Sequence, residues 1–132
     1  MNAVEQQAWI RAFKDEIERC KPWIEDALDN SAPSHYFEDI RVMLLNGDAT
    51  LWSTQNGCVV TCFTTFPAGK MLQMWLMGGD FEEVYNERNA SIEAFARENG
   101  CTTLFINGRK GWERRMKDRG YDFASVVLTK EL

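Results

Sequence analysis

The spacing of apolar residues divides the chain into two regimes. In the first, Trp9, Ile10, Phe13, Ile17 and Cys20 recur at three- and four-residue steps with Arg11, Lys14, Asp15 and Glu18 opposite. That period predicts an amphipathic helix. Pro22 suits the first turn of a new helix, so 22–28 reads as a short second one, followed by a loop over 29–33. Ser34 is placed to cap a third helix running to Asn46, with Phe37, Ile40, Met43 and Leu44 inward and Gly47 as the stop.

The period then shortens to two. Residues 51–54 and 58–66 flank Gln55-Asn56-Gly57, and Asn-Gly is the strongest short hairpin signal. Pro67-Ala68-Gly69 returns the chain into a third strand over 70–77, which completes an antiparallel meander. Val59 and Phe63 share one face of the second strand, and Val60 and Cys62 the other, as in a strand covered on both sides. Gly78-Gly79-Asp80 ends the meander and opens a helix whose stripe is Phe81, Val84, Tyr85, Ile92, Phe95 and Ala96. A short strand over 102–106, a basic helix over 110–119 and a last alternating strand over 123–129 follow. The fold class expected is α/β (α+β): N-terminal helices, a three-strand meander, then helix, strand, helix, strand in one mostly antiparallel sheet. At 132 residues and 15.2 kDa it is read as a single domain, 1–132.

Composition narrows the function classes. The formal net charge of −5 argues against a general nucleic-acid binder. Charge is uneven, with 8 Lys/Arg against 16 Asp/Glu in residues 1–100 and 7 against 4 thereafter. No apolar run approaches the roughly 18 residues of a membrane span, so no membrane partner is expected. His35 is the single histidine, which excludes a histidine-rich metal site; no metal is expected. Cys20, Cys58, Cys62 and Cys101 lack CxxC spacing and read as buried reduced thiols. Met71, Met74, Met77 and Trp75 read as core of the third strand.

Three places carry candidate chemistry. Free N–H groups at a glycine turn entering a helix suit an anion, so Gly78, Gly79 and Asp80 form the candidate cofactor cradle. Asp80, Glu82 and Glu83 oppose that use, and Asp80-x-x-Glu83 has capping-box spacing, so a helix capped by its own acids is the preferred account. Arg109, Lys110, Arg114, Arg115, Lys117 and Arg119 put six cations in eleven residues, a candidate partner surface or a solvated face. Trp9 on the first helix is the other candidate contact point.

From Lys70 onward, the order strand, glycine junction, helix, strand, helix, strand resembles the core of the GNAT acetyltransferase superfamily. Leu76-Met77-Gly78-Gly79-Asp80, Gly100-Cys101, Gly108-Arg109-Lys110-Gly111-Trp112 and Gly120-Tyr121 are similar to a set of small bacteriophage proteins with that fold. The resemblance implies an acetyl-CoA diphosphate loop of Arg/Gln-x-x-Gly-x-Gly/Ala type, where this chain has Gly78-Gly79-Asp80-Phe81-Glu82-Glu83. It implies an Asn and a Tyr general acid before the last helix ends; Arg109 and Met116 occupy those positions. The implied function is a phage-encoded domain, degenerate at the diphosphate loop, without cofactor. It would contact other phage or host proteins as a virion or ejection-associated component, in the virion or the host cytoplasm. The alternative is an acetyl-CoA-dependent acyltransferase with Tyr85 or Tyr121 as acid.

Overall fold

The computed structural model describes residues 1–31, 34–108 and 111–132. Helix α1 (Ala3–Asp29) opens with a capping box in which Asn2 Oδ1 accepts the Glu5 N–H at 2.8 Å. It runs through Pro22 without a break, which corrects the expected two helices. Pro22 is exposed, so the carbonyl that loses its partner faces water. The buried stripe Ile17, Cys20 and Ile24 stays in register across it, and packing outweighs local propensity. Helix α2 (Phe37–Asn46) starts later than Ser34 would set it. The Asp39 carboxylate accepts the Tyr36 N–H at 2.8 Å, while the Ser34 hydroxyl meets His35 Nδ1.

Strands β1 (Thr50–Thr54), β2 (Gly57–Phe66) and β3 (Gly69–Gly79) form the expected meander. Helix α3 (Phe81–Glu98) follows, and β4 (Cys101–Phe105) joins β3 in parallel. The sheet order is β1-β2-β3-β4. Helices α1 and α2 cover one face, burying Ile17, Ile24, Ile40 and Leu44 on Cys58, Val60 and Leu76. Helix α3 covers the other, setting Val84, Ile92 and Ala96 on Val59 and Leu72. The two-sided apolar pattern of β2 is thus used on both sides.

Two differences from the sequence reading concern the ends. Only the second half of α1 packs on the sheet: residues 1–12 are exposed throughout, Trp9 at 59% and Ile10 included. Trp9 stacks on Phe13 at 5.5 Å, and covers no strand. At the other end, α4 (Gly111–Met116) and one 3-10 turn (Lys117–Arg119) match the basic helix, but residues 123–129 form no strand. Alternation alone does not make a strand. A ladder needs a neighbouring backbone, and within one chain this segment has none.

The β1–β2 turn is clamped from both sides of the sheet. From α1, Arg19 donates to the carbonyls of Thr54 (2.7 Å) and Gln55 (2.9 Å), and Glu16 accepts the Ser53 hydroxyl at 2.6 Å. From α3, Glu83 accepts the Thr54 hydroxyl (2.5 Å), the Asn56 N–H (2.7 Å) and the Asn56 side-chain amide (3.0 Å). The β3–α3 junction closes onto the same turn, and the Asp80 N–H donates to the Asn56 carbonyl at 2.8 Å. Gly79 sits at φ +82°, and a Cβ there would overlap the Asn56 carbonyl oxygen. A Cβ on Gly78 would lie 2.5 Å from the Trp23 carbonyl oxygen of α1. Both glycines are therefore required by close backbone contact.

Gly79→Ala is expected to destabilise the fold by about 3 kcal/mol or more, combining left-handed strain with overpacking against backbone, as read by denaturant unfolding. Hydrogen bonds from Arg19 and Ser53 hold Glu16 below the usual carboxylate range, and those from Thr54 and Asn56 do the same for Glu83. A depressed folded value gives stabilisation that is complete above the unfolded value and lost as pH falls through the folded one. Acid unfolding should accordingly become less steep in Glu83→Gln, measured as denaturation midpoint against pH from neutrality down through the carboxylate range.

Candidate functional site

Strand β3 is eleven residues long, yet only Lys70–Gln73 pairs with β4. The reason lies on its other edge. Val60 pairs with Leu76 and Thr61 with Met74, so Trp75 is an extra residue, a bulge that puts Trp75 and Leu76 both toward the α1 side. A bulge bends its strand and increases the local twist. From this point β3 leaves β4, and the gap between them is a cleft of about 80 Å³, open to solvent at its mouth.

The cleft has an apolar body. Met74, Trp75 and Met77 of β3 face Ile106, Asn107 and Gly108, which continue past β4. Phe81, Tyr85 and Asn89 of α3 form a third wall, and Trp112 and Met116 of α4 close the end. Met74 and Met77, expected as core, pack half-buried against the α3-side core and also line the cleft. Among the described residues no charged side chain lines it; the polar groups are amides, hydroxyls and backbone. No periodicity signals this site, because the bulge that opens it is a register event between two strands.

The cations that the sequence groups together are divided by the structure. Arg119 lies over Tyr85 (4.5 Å) and Phe81 (4.9 Å) and pairs with Glu82 at 2.8 Å. Arg115 lies over Phe81 (4.8 Å) and Trp112 (5.5 Å). Both tie α4 to the start of α3, using the attraction of a guanidinium for an aromatic face. Arg114 and Lys117 are exposed, and so is Arg115 despite its ring contacts. Arg109 and Lys110 lie outside the described residues.

The β3–α3 junction is closely packed. The backbones of Trp23, Asn56 and Gly57 fill the space around Gly78 and Gly79, and the Trp23 and Asn56 carbonyls present partial negative charge. Asp80 caps α3, accepting the Glu83 N–H at 3.1 Å. The reciprocal half of the expected capping box is not formed, since Glu83 has turned to the hairpin and the Asp80 N–H to Asn56. The three acids are engaged one by one, Glu82 by Arg119, and Asp80 and Glu83 as just described.

The two tyrosines differ. Tyr85 lines the cleft. Tyr121 does not, and its hydroxyl is buried without a hydrogen-bond partner among the described residues. Burial first, then Glu93 and Tyr85, pushes its pKa up to about 12. A phenol that retains its proton so strongly is poorly matched to acid catalysis near neutrality. Among the described residues no group of three His, Cys, Asp or Glu side chains gathers as a metal site.

No protein-family model matches the sequence, and no curated protein matches it. Solved structures do. A probable acetyltransferase is 9% identical with a TM-score of 0.64, over 89% of this chain and 91% of its own. A putative acetyl transferase from Pyrococcus furiosus is 14% identical with a TM-score of 0.63, over 89% and 95%. A GNAT family acetyltransferase from Staphylococcus aureus is 18% identical with a TM-score of 0.55, over 100% and 95%. At such identities the likeness is one of fold. This chain has the mixed α/β, mostly antiparallel fold of the GNAT acetyltransferases.

Proposed function

We propose that this chain is a GNAT-fold domain that works by contact with other proteins and not by acyl transfer, as a phage-encoded virion or ejection-associated component. The phage assignment rests on the motif resemblance. The contact reading is carried by the overhang of α1. Its first ten helical residues, about 15 Å of helix, are exposed on every side, with Trp9 and Ile10 among them. Exposed Arg114 and Lys117 offer a second, charged contact.

The filled β3–α3 junction supports the absence of acyl transfer. A fold shared with acetyltransferases does not bring their chemistry with it when the groups that would hold the diphosphate are occupied. The cleft supports a second reading. Its apolar walls and the backbone edge of β3 beyond Gln73 suit an extended neutral chain such as an acyl-pantetheine arm, with Tyr85 beside it.

On the first reading, millimolar acetyl-CoA leaves the melting temperature unchanged, whereas a dose-dependent rise would favour the second, since a ligand of the folded state must stabilise it. Trp9→Ala with Ile10→Glu should keep the melting temperature and abolish co-assembly with phage or host proteins in pull-downs. Undiminished association would remove α1 as the contact, leaving Arg114→Glu with Lys117→Glu to test the basic face.

A further inference from the structure

The dipeptide Asn-Gly occurs four times, at Asn46-Gly47, Asn56-Gly57, Asn99-Gly100 and Asn107-Gly108. Asparagine is chemically labile before glycine, because no side chain hinders attack of the glycine nitrogen on the asparagine amide. The reaction needs two freedoms. The amide must be able to turn toward the next residue, and that residue's N–H must be unbound.

At three of the four sites the structure withholds one freedom or both. Asn46 ends α2, and the Gly47 N–H donates to the Leu44 carbonyl at 3.3 Å in the helix cap. The Asn56 amide donates to Glu83 at 3.0 Å, and Gly57 is buried in the hairpin. The Asn99 amide donates to the Phe95 carbonyl at 2.8 Å, and the Gly100 N–H to the Arg97 carbonyl at 3.1 Å.

Asn107-Gly108 differs. It lies past the end of β4 in irregular chain, and both residues are exposed. Among the described residues, neither the Asn107 amide nor the Gly108 N–H makes a hydrogen bond. Both residues line the cleft, where among the described residues no charged side chain lies. Gly108 also packs on Trp112, whose Cδ1 would lie 2.8 Å from a Cβ there.

We infer that Asn107 is a site of spontaneous deamidation, through which the neutral cleft wall acquires a carboxylate. A solvent base takes the Gly108 N–H proton, and the nitrogen attacks Cγ of Asn107. The new C–N bond closes a succinimide. The Cγ–Nδ2 bond breaks, and the side-chain nitrogen takes a proton from water and leaves as ammonia. Water then opens the ring, with nothing oxidised or reduced. Addition at Cγ leaves aspartate at 107; addition at the main-chain carbonyl leaves isoaspartate, with one more carbon in the backbone. Either product puts a negative charge next to the Gly108–Trp112 contact. The site is independent of the α1 contact proposed above.

Peptide mapping by mass spectrometry tests this on the full chain after incubation at mildly alkaline pH, with an isoaspartyl methyltransferase reporting isoaspartate. Asn107 should convert about tenfold faster, or more, than Asn46, Asn56 and Asn99, because those must first open locally. Ion exchange should resolve the product as a form one charge more negative. In concentrated urea the four sites should converge, since each is then equally free. Asn107→Gln should keep the melting temperature and remove the acidic form, because glutamine would have to close a larger ring. An unconverted Asn107 overturns the inference. So does conversion no faster there than at the other three sites, or an equal lead in urea, which local sequence would explain without the fold.

Discussion

The β1–β2 turn is the point on which the rest of the molecule is assembled. Backbone from three elements meets there without side chains between: Asn56 and Gly57 of the hairpin, Gly78 and Gly79 at the end of β3, and Trp23 of α1. Such close approach leaves only glycine possible at the junction, and it orients α3 across the sheet. Carboxylates and a guanidinium then secure it, Glu83 from one side and Arg19 with Glu16 from the other. Charge-assisted hydrogen bonds of this kind are both stronger and more directional than neutral ones, which suits a joint between layers.

The joint brings backbone carbonyls and engaged carboxylates together at the β3–α3 junction. The cleft begins further along β3, at the Trp75 bulge, and its chemistry differs: apolar walls, amides and an unpaired strand edge. The cleft thus opens away from the β3–α3 junction, which is built for cohesion. Arg115 and Arg119 belong to that cohesion too, since each lies over aromatic rings at the start of α3.

The unsatisfied surfaces lie elsewhere, at the two chain ends. One is a helix that outruns its sheet, and the other an apolar segment beyond the last helix. Each exposes groups whose solvation is unfavourable, and neither contributes to the layers. Their position outside the core means that a contact made through them need not disturb the hairpin joint.

By itself the sequence determined the layers. Ile17 and Cys20 of the first stripe, the Asn56-Gly57 hairpin, the two-faced β2 and the buried Val84, Ile92 and Ala96 of the α3 stripe follow from periodicity, because burial on one or both faces imposes it directly. The glycine junction and its acids were legible as residues, but not as a filled space; that depends on which backbones approach, and Trp23 lies over fifty residues away in the chain. Tertiary structure alone decided that α1 passes through Pro22, that Arg115 and Arg119 lie over aromatic rings, that a one-residue bulge opens the cleft and that 123–129 pairs with no strand among the described residues. Periodicity reports how much of an element is buried, whereas a bulge, a cation over a ring and a strand's neighbour are relations between distant segments, fixed only when the layers close.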